Sequence, residues 1–332
     1  MSIYEECRAT PQSATFLDGD DRIGPRIYRG LKQAVKRING QLRTGDSYSF
    51  EDRRTGSSQL ICIVAVNKQD IWPLVLPYIE EAAKGDYVCI ISPGLYDHGL
   101  SHLCEQWGWS YLSTATRDAN LAQNICFWLH QEAQLIVKID EDMILPPNAI
   151  ADLVQRYQAI SAGSEITPGV VAPMVPLDGL SYRYLLQSLN LLKAFELRFG
   201  KAMLHAEDSV ISRNIEAAIW IWENTSPLGR TANLLAEMPE HLIYAPIVLN
   251  PGMIVFERSF WDDMGYLPVF RRRLIFGQDS IATDRHFISS RAVTMSRPVV
   301  ITSHVLVDRF SFSAQYQKML KLFQENPETF SV

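Results

Sequence analysis

Residues 135–154 read LIVKIDEDMILPPNAIADLV, and their order decides how the chain folds. A largely apolar run ends in three consecutive acids, Asp140, Glu141 and Asp142, and is followed by Pro146 and Pro147. A continuous apolar run of this length suits a strand covered on both faces. Proline's fixed φ and missing donor suit a first helical turn, so the double proline is expected to open a helix over PPNAIADLVQRYQAI. The acids therefore fall at the carboxyl end of a buried strand.

The same alternation continues on either side. Three more short apolar or β-branched runs precede it, QLICIVAV (59–66), YVCIIS (87–92) and WSYLST (109–114). Between them lie helical candidates: IWPLVLPYIEEAAKG (71–85) and GLSHLCEQWG (99–108), each ending at a glycine, and RDANLAQNICFWLHQEA (117–133), with apolar residues at helical intervals. GVVAPMV (169–175) and PVVITSHVLV (298–307) read as later strands, and PGMIVFERSFWDDMGY (251–266) as a strand followed by a short helix. Residues 180–225 read as helical, with Leu185, Leu189, Leu192, Phe195 and Phe199 on one stripe. Strands alternating with helices imply an α/β protein with a mostly parallel sheet flanked by helices, in which ligands bind outside the carboxyl ends of the strands.

The chain has 332 residues, a net charge of −6 and 47% hydrophobic residues, enough for a large core and too acidic for a protein that coats nucleic acid by bulk charge. Cys7, Cys62, Cys89, Cys104 and Cys126 are odd in number, and their spacing suggests neither a disulfide framework nor a zinc site. They read as reduced core residues of a cytoplasmic protein. The opening MSIYEECRAT lacks the order of a signal peptide, and no apolar stretch is long enough to span a bilayer. Residues 1–58 lack the strand–helix rhythm and read as an N-terminal extension. Within it, residues 26–43 (RIYRGLKQAVKRINGQLR) form a basic amphipathic segment. Such a helix can make peripheral contact with an anionic membrane, or simply dock its apolar face on the core.

Like charges crowded together raise the energy of a fold unless something positive sits among them. Period-2 alternation sends Asp140 and Asp142 to one side and Glu141 to the other, and two carboxylates on one side suit a hard divalent ion that also accepts phosphate oxygens. A solvated acidic turn capping the next helix is the competing reading. Two further stretches bear on the choice. FGQDSIATDRHF (276–287) sets Asp279 ahead of a helix, as a base or as an N-cap. VVITSHVLVD (299–308) ends a strand near His304, as a ligand or as a satisfied core histidine.

Taken in order, ICIVAVNK, VCIISPGLYD, ANLAQNI, KIDEDMILPPNAI, GMIVFERSFWDDMGY, GQDSIATDR and His304 resemble the metal-dependent glycosyltransferases of the GT-A fold, in particular glycosyltransferase family 2, over most of residues 60–310. The resemblance implies a Rossmann-like GT-A domain over 59–310. It would have a nucleotide-sugar-binding half (59–175), an acceptor-side half (176–310) with a helical insertion at about 180–245, and a C-terminal helix in 311–332. It implies a nucleotide-sugar donor, a UDP-sugar first, and a glycan, lipid-linked or protein acceptor. By the same resemblance Asp140, Asp142 and His304 hold Mn²⁺ or Mg²⁺, while Asn67, Asp97, Asn124, Asp140 and Glu141 line the donor. Asp279 is the base of an inverting transfer, and Gly252 and Arg258 lie on the acceptor side. Ser92 stands where the family usually carries an aspartate, and Gln278 where it carries a glutamate. A retaining transferase, a sugar nucleotidyltransferase and a non-enzymatic binding module are the alternatives. The nucleotidyltransferase fits less well, because AVNKQDIWP (65–73) has one lysine and no glycine to hold a triphosphate.

Overall fold

A computed structural model of the chain describes residues 46–66, 68–94, 96–163, 167–177, 180–203, 210–245, 252–269, 283–310, 315–327 and 332. All belong to one compact unit, Gly40–Val332. Among the described residues its centre is a nine-stranded sheet in the order β1 (Tyr48–Glu51), β4 (Ser110–Thr114), β3 (Val88–Pro93), β2 (Gln59–Val64), β5 (Leu135–Asp140), β9 (Met253–Glu257), β7 (Val170–Met174), β10 (Val299–Leu306) and β8 (Leu242–Tyr244).

The four apolar runs become β2 (Gln59–Val64), β3 (Val88–Pro93), β4 (Ser110–Thr114) and β5 (Leu135–Asp140), all mutually parallel. Their continuous apolarity follows from position: Leu60, Ile61, Ile63, Ile90, Ile91, Leu112 and Val137 are fully enclosed between helices on both faces. Each such side chain contributes about 1.5–3 kcal/mol of burial. The connecting helices are α1 (Trp72–Ala82), α2 (His98–Trp107) and α3 (Ala119–Leu129). Helix α2 ends at Gly108, whose φ of 70° is the left-handed stop that the glycine foreshadowed.

After β5 come a two-residue strand β6 (Met143–Ile144), helix α4 (Ala149–Gly163) and β7 (Val170–Met174). The double proline does not open α4. It forms the preceding turn, and the Ala149 amide bonds to the Pro146 carbonyl at 3.0 Å before the helix begins. The helical region divides into α5 (Ser181–Ser188), α6 (Leu192–Phe199), α7 (Val210–Arg213), α8 (Ile215–Thr225) and α9 (Leu228–Glu237). The expected single stripe is broken at Asn190, which has a φ of 57° and turns the chain between α5 and α6. Tyr182, Leu186, Phe195, Ile211 and Ile221 close a second, smaller core there.

The chain then returns to the sheet through β8 (Leu242–Tyr244), β9 (Met253–Glu257) with α10 (Arg258–Met264), α11 (Thr283–Thr294) and β10 (Val299–Leu306). A last short strand, β11 (Asp308–Arg309), pairs antiparallel with β6, and α12 (Tyr316–Glu325) follows. Strand β9 inserts between β5 and β7 and runs against both. The edge strands β8 and β1 (Tyr48–Glu51) also run against their neighbours, leaving six strands of nine in one direction. The sheet is thus the mostly parallel, helix-flanked one expected, but it begins earlier than residue 59: Tyr48–Glu51 pairs with Tyr111–Thr114 at one edge. Among the described residues no helix is long and apolar enough to cross a membrane, and Cys62, Cys89, Cys104 and Cys126 are buried free thiols.

Candidate functional site

Strands β2, β3 and β4 step outward in one direction, and the chain then crosses to the other side of β2 to form β5. Such a reversal leaves a crevice at the carboxyl ends of the two strands where the order switches. Val64, the end of β2, lies directly beside Asp140, the end of β5. The Glu141 amide donates to the Val64 carbonyl at 3.2 Å and the Asp140 amide to the Gly252 carbonyl at 2.7 Å, so the three acids emerge in that crevice.

Their charge is met by the chain's own bases. Lys138, two residues before Asp140 on the same face of β5, places Nζ 2.5 Å from Asp140 Oδ1. Arg309 Nη2 lies 2.9 Å from Asp140 Oδ2, and its Nε is 3.8 Å from Asp142 Oδ2. Lys68, in the loop after β2, closes the network on Asp142. One guanidinium reaches both Asp140 and Asp142, although β5 ends at Asp140 and Glu141 and Asp142 lie in the turn that follows it, beyond the strand alternation. Burial works to raise the Asp142 carboxyl, but Arg309 and Lys68 prevail and hold it below its ordinary value. Arg309 is delivered by the pairing of β11 with β6, where Arg309 lies opposite Met143. Beside it, burial pushes the Asp308 carboxyl well above the usual carboxylate range.

Glu141 points away from this pair. Its Oε2 accepts from the Trp72 indole at 2.6 Å and the Lys68 amide at 3.3 Å, pinning the loop between β2 and α1. It therefore acts as a brace for that loop. Asp97 caps α2 by accepting from the Leu100 amide at 3.0 Å, and its other oxygen takes Gln69 Nε2 at 3.3 Å, tying the loops after β2 and β3 together. Gly252 sits under the cluster. A Cβ there would come within 2.6 Å of Arg309 Nη2 and 2.7 Å of Met143 Sδ, so a larger residue would push the ends of those two side chains aside.

Three expected site residues lie elsewhere. Asn124 is fully buried; its amide donates to the Leu267 carbonyl at 2.9 Å and accepts from the Leu267 amide at 2.9 Å, so it fastens the segment after α10. Arg258 lies at the opposite end of the sheet, because β9 runs antiparallel to β5 and Glu257 faces Leu135 while Met253 faces Ile139. Its guanidinium binds the carbonyls of Ala133, at 2.6 Å, and His130, capping the end of α3 and not an acceptor pocket. His304 is on β10, three strands from β5 in the sheet order, which is about 14 Å at ordinary strand spacing. There Nε2 donates to the Met238 carbonyl at 2.8 Å, and the ring borders a cleft of about 220 Å³ with Pro146, Asn148, Asp152 and Asn233. Among the described residues no three His, Cys, Asp or Glu side chains gather to hold a metal. Asn67, Asp279, Gln278 and the basic segment 26–43 lie outside the described residues.

The residues that sequence reasoning missed are Lys68, Lys138, Arg309 and Trp72. Lys138 did carry a signal, being the one charge inside the β5 run, two positions before Asp140. Arg309, 169 residues from Asp140, carried none.

Comparison of the sequence with protein-family models and with curated proteins finds no match. Among solved structures the chain is similar to a mannosyltransferase from Pyrobaculum calidifontis in complex with GDP-Man and Mn²⁺, with 12% identity and a TM-score of 0.46 over 89% of this chain and 68% of that one. It is also similar to S. aureus TarS, with 11% identity and a TM-score of 0.42 over 81% of this chain and 39% of that one. A third is a CMP:2-keto-3-deoxy-manno-octonic acid synthetase complexed with CTP, with 12% identity and a TM-score of 0.41 over 81% of this chain and the whole of the other. Likenesses at this level have no bearing on activity.

Proposed function

We propose that the chain is a metal-dependent glycosyltransferase of the GT-A type that moves a sugar from a nucleotide-sugar donor, a UDP-sugar first, to an acceptor hydroxyl. The observation that carries this reading is that Asp140 and Asp142, at and just past the carboxyl end of β5, share one guanidinium in the crevice where the strand order reverses. Their donor chemistry fits a hard divalent ion: two carboxylate oxygens, with Asp142 kept ionised by Arg309 and Lys68. Mg²⁺ needs only one or two such carboxylates when substrate phosphates complete its shell, so the lack of a third protein ligand among the described residues is compatible with it. Bound there, Mg²⁺ or Mn²⁺ would draw charge from the departing nucleoside diphosphate.

The chain's own residues do the rest. Glu141, through Trp72 and the Lys68 amide, holds the loop after β2 against the crevice, and Asp97 does the same for the loop after β3. Arg309 and Lys68, paired with Asp140 and Asp142, would present positive charge to a diphosphate bound in the crevice. Asp279 is assigned as the base by resemblance: it takes the proton of an acceptor hydroxyl on the far side of the anomeric carbon, which gives inversion. The acceptor is a glycan, lipid-linked or protein hydroxyl, and nucleic acid has no part in the reaction.

Thermal melting with a panel of nucleotide sugars, with and without Mn²⁺, tests the reading. A ligand at about 100 times its Kd stabilises by about 2.7 kcal/mol, a rise of roughly 4–5 °C for a domain of this size. The rise should require Mn²⁺ and vanish in Asp140→Asn. If no nucleotide sugar moves the melting point of the wild type in either condition, the donor site is misassigned.

A further inference from the structure

Five side chains form one continuous run of ion pairs, Lys138–Asp140–Arg309–Asp142–Lys68, and Glu141 joins it through the Lys68 amide. Three acids thus face three bases. A nucleoside diphosphate entering this crevice brings about two or three negative charges against no net positive charge from these six side chains, and a divalent ion alone brings two positive charges against no net negative one. Either visitor by itself unbalances a partly buried cluster in which charge is costly, whereas the two together nearly cancel. Arg309 is the group on which this turns: among the described residues it alone contacts both of the proposed metal-binding carboxylates, and it is 13% exposed.

Resting on the donor-site reading above, we infer that Arg309 is a transferable counter-ion that makes divalent-ion and nucleoside-diphosphate binding mutually dependent. As the ion engages Asp140 and Asp142, the guanidinium passes from those carboxylates to phosphate oxygens. Its fork geometry suits both partners. No covalent bond changes; one set of charge-assisted hydrogen bonds replaces another. By the reciprocity of linkage, the ion tightens the nucleotide by the same factor as the nucleotide tightens the ion.

The consequence is unusual for the loss of a ligand-binding arginine. Arg309→Gln removes the carboxylates' shared counter-ion, so Mn²⁺ alone should bind more tightly than to wild type, by roughly 5- to 10-fold, while UDP or GDP in the presence of Mn²⁺ binds more weakly by a similar factor. A residue that merely holds the fold together would weaken both. The measurement is a Mn²⁺ titration followed by electron paramagnetic resonance of the free ion, with calorimetric titration of UDP and GDP with and without Mn²⁺. Both are made on the full chain and repeated on Arg309→Lys, which keeps the charge, loses the fork, and should fall between wild type and Arg309→Gln. Wild type should show at least about 10-fold coupling between ion and nucleotide. If wild type binds both but additively, or if Arg309→Gln leaves Mn²⁺ affinity unchanged or lower with the fold intact by circular dichroism, the inference is overturned while the donor site stands. If Arg309→Gln does not fold, Arg309→Lys carries the decision: Mn²⁺ affinity and coupling equal to wild type overturn the inference. If wild type binds neither nucleotide with Mn²⁺, the donor-site reading itself has failed.

Discussion

Replacing Lys68 by methionine isolates the electrostatics of the cluster from its ligand chemistry. Asp142 has only 3% of its side chain exposed, and Lys68, at 21%, is one of its two cationic partners, the other being Arg309 Nε at 3.8 Å. Removing one member of a fully buried pair costs about 3–5 kcal/mol, whereas an exposed pair contributes about 0–1 kcal/mol. Lys68 is partly solvated and Arg309 remains, so the expected loss is about 2–3 kcal/mol, or roughly 3–5 °C in melting temperature. The Lys68 amide bond to Glu141 is unaffected by the change, so the loop keeps its anchor. Asp142→Asn in the same background should restore much of the loss, since a neutral amide needs no counter-ion, and the coupling energy of the double-mutant cycle should be about 2 kcal/mol. The sign of the pH dependence follows from the lowered Asp142 carboxyl. A group whose folded-state value lies below its unfolded value stabilises above the unfolded value and loses that contribution as pH falls through the folded one. The Lys68→Met penalty should therefore be constant at neutral pH and shrink in acid, beginning as the Asp142 carboxyl of the variant, no longer held down by Lys68, takes up its proton. Melting curves by circular dichroism across pH check this. A variant within about 1 °C of wild type at pH 7, or a penalty undiminished in acid, would show that the ion pair does not stabilise the fold.

Two further substitutions separate the site from its supports. Gly252→Ala should push the Arg309 guanidinium aside at little cost in stability and, because the guanidinium moves, reproduce in milder form the Mn²⁺ response expected of Arg309→Gln; a melting curve and the same Mn²⁺ titration read both. Asn124→Ala should strip both hydrogen bonds from the Leu267 backbone and cost about 2–4 kcal/mol, yet leave nucleotide affinity of the folded protein unchanged; calorimetric affinity equal to wild type confirms that Asn124 is a fastener, and a large loss returns it to the donor site.

Much of the architecture was legible in one dimension because it depends on neighbours in the chain. The strands at 59–64, 88–93, 110–114 and 135–140 announce themselves by continuous apolarity, which only a doubly covered strand needs, and Gly108 stops α2 because few other residues tolerate a positive φ. The double proline and the leucine stripe misled for the same local reason. Each pattern suited a helix, but the Pro146 carbonyl closed a turn first and Asn190 broke the stripe.

What the amino-acid order determined by itself was the strand–helix rhythm and the position of Asp140, Glu141 and Asp142 at a strand's carboxyl end, since both rest on interactions within a few residues. Only the tertiary structure decided what neutralises those acids and which distant residues share their crevice. Arg309 arrives through the β11–β6 pairing, Gly252 arrives beneath it, and the antiparallel run of β9 sends Arg258 to the far end of the sheet while β10 carries His304 three strands away. Strand order and direction are set by which apolar faces bury one another across long separations. No period in the sequence records that choice, so the partners of a charge cannot be read from its neighbours in the chain.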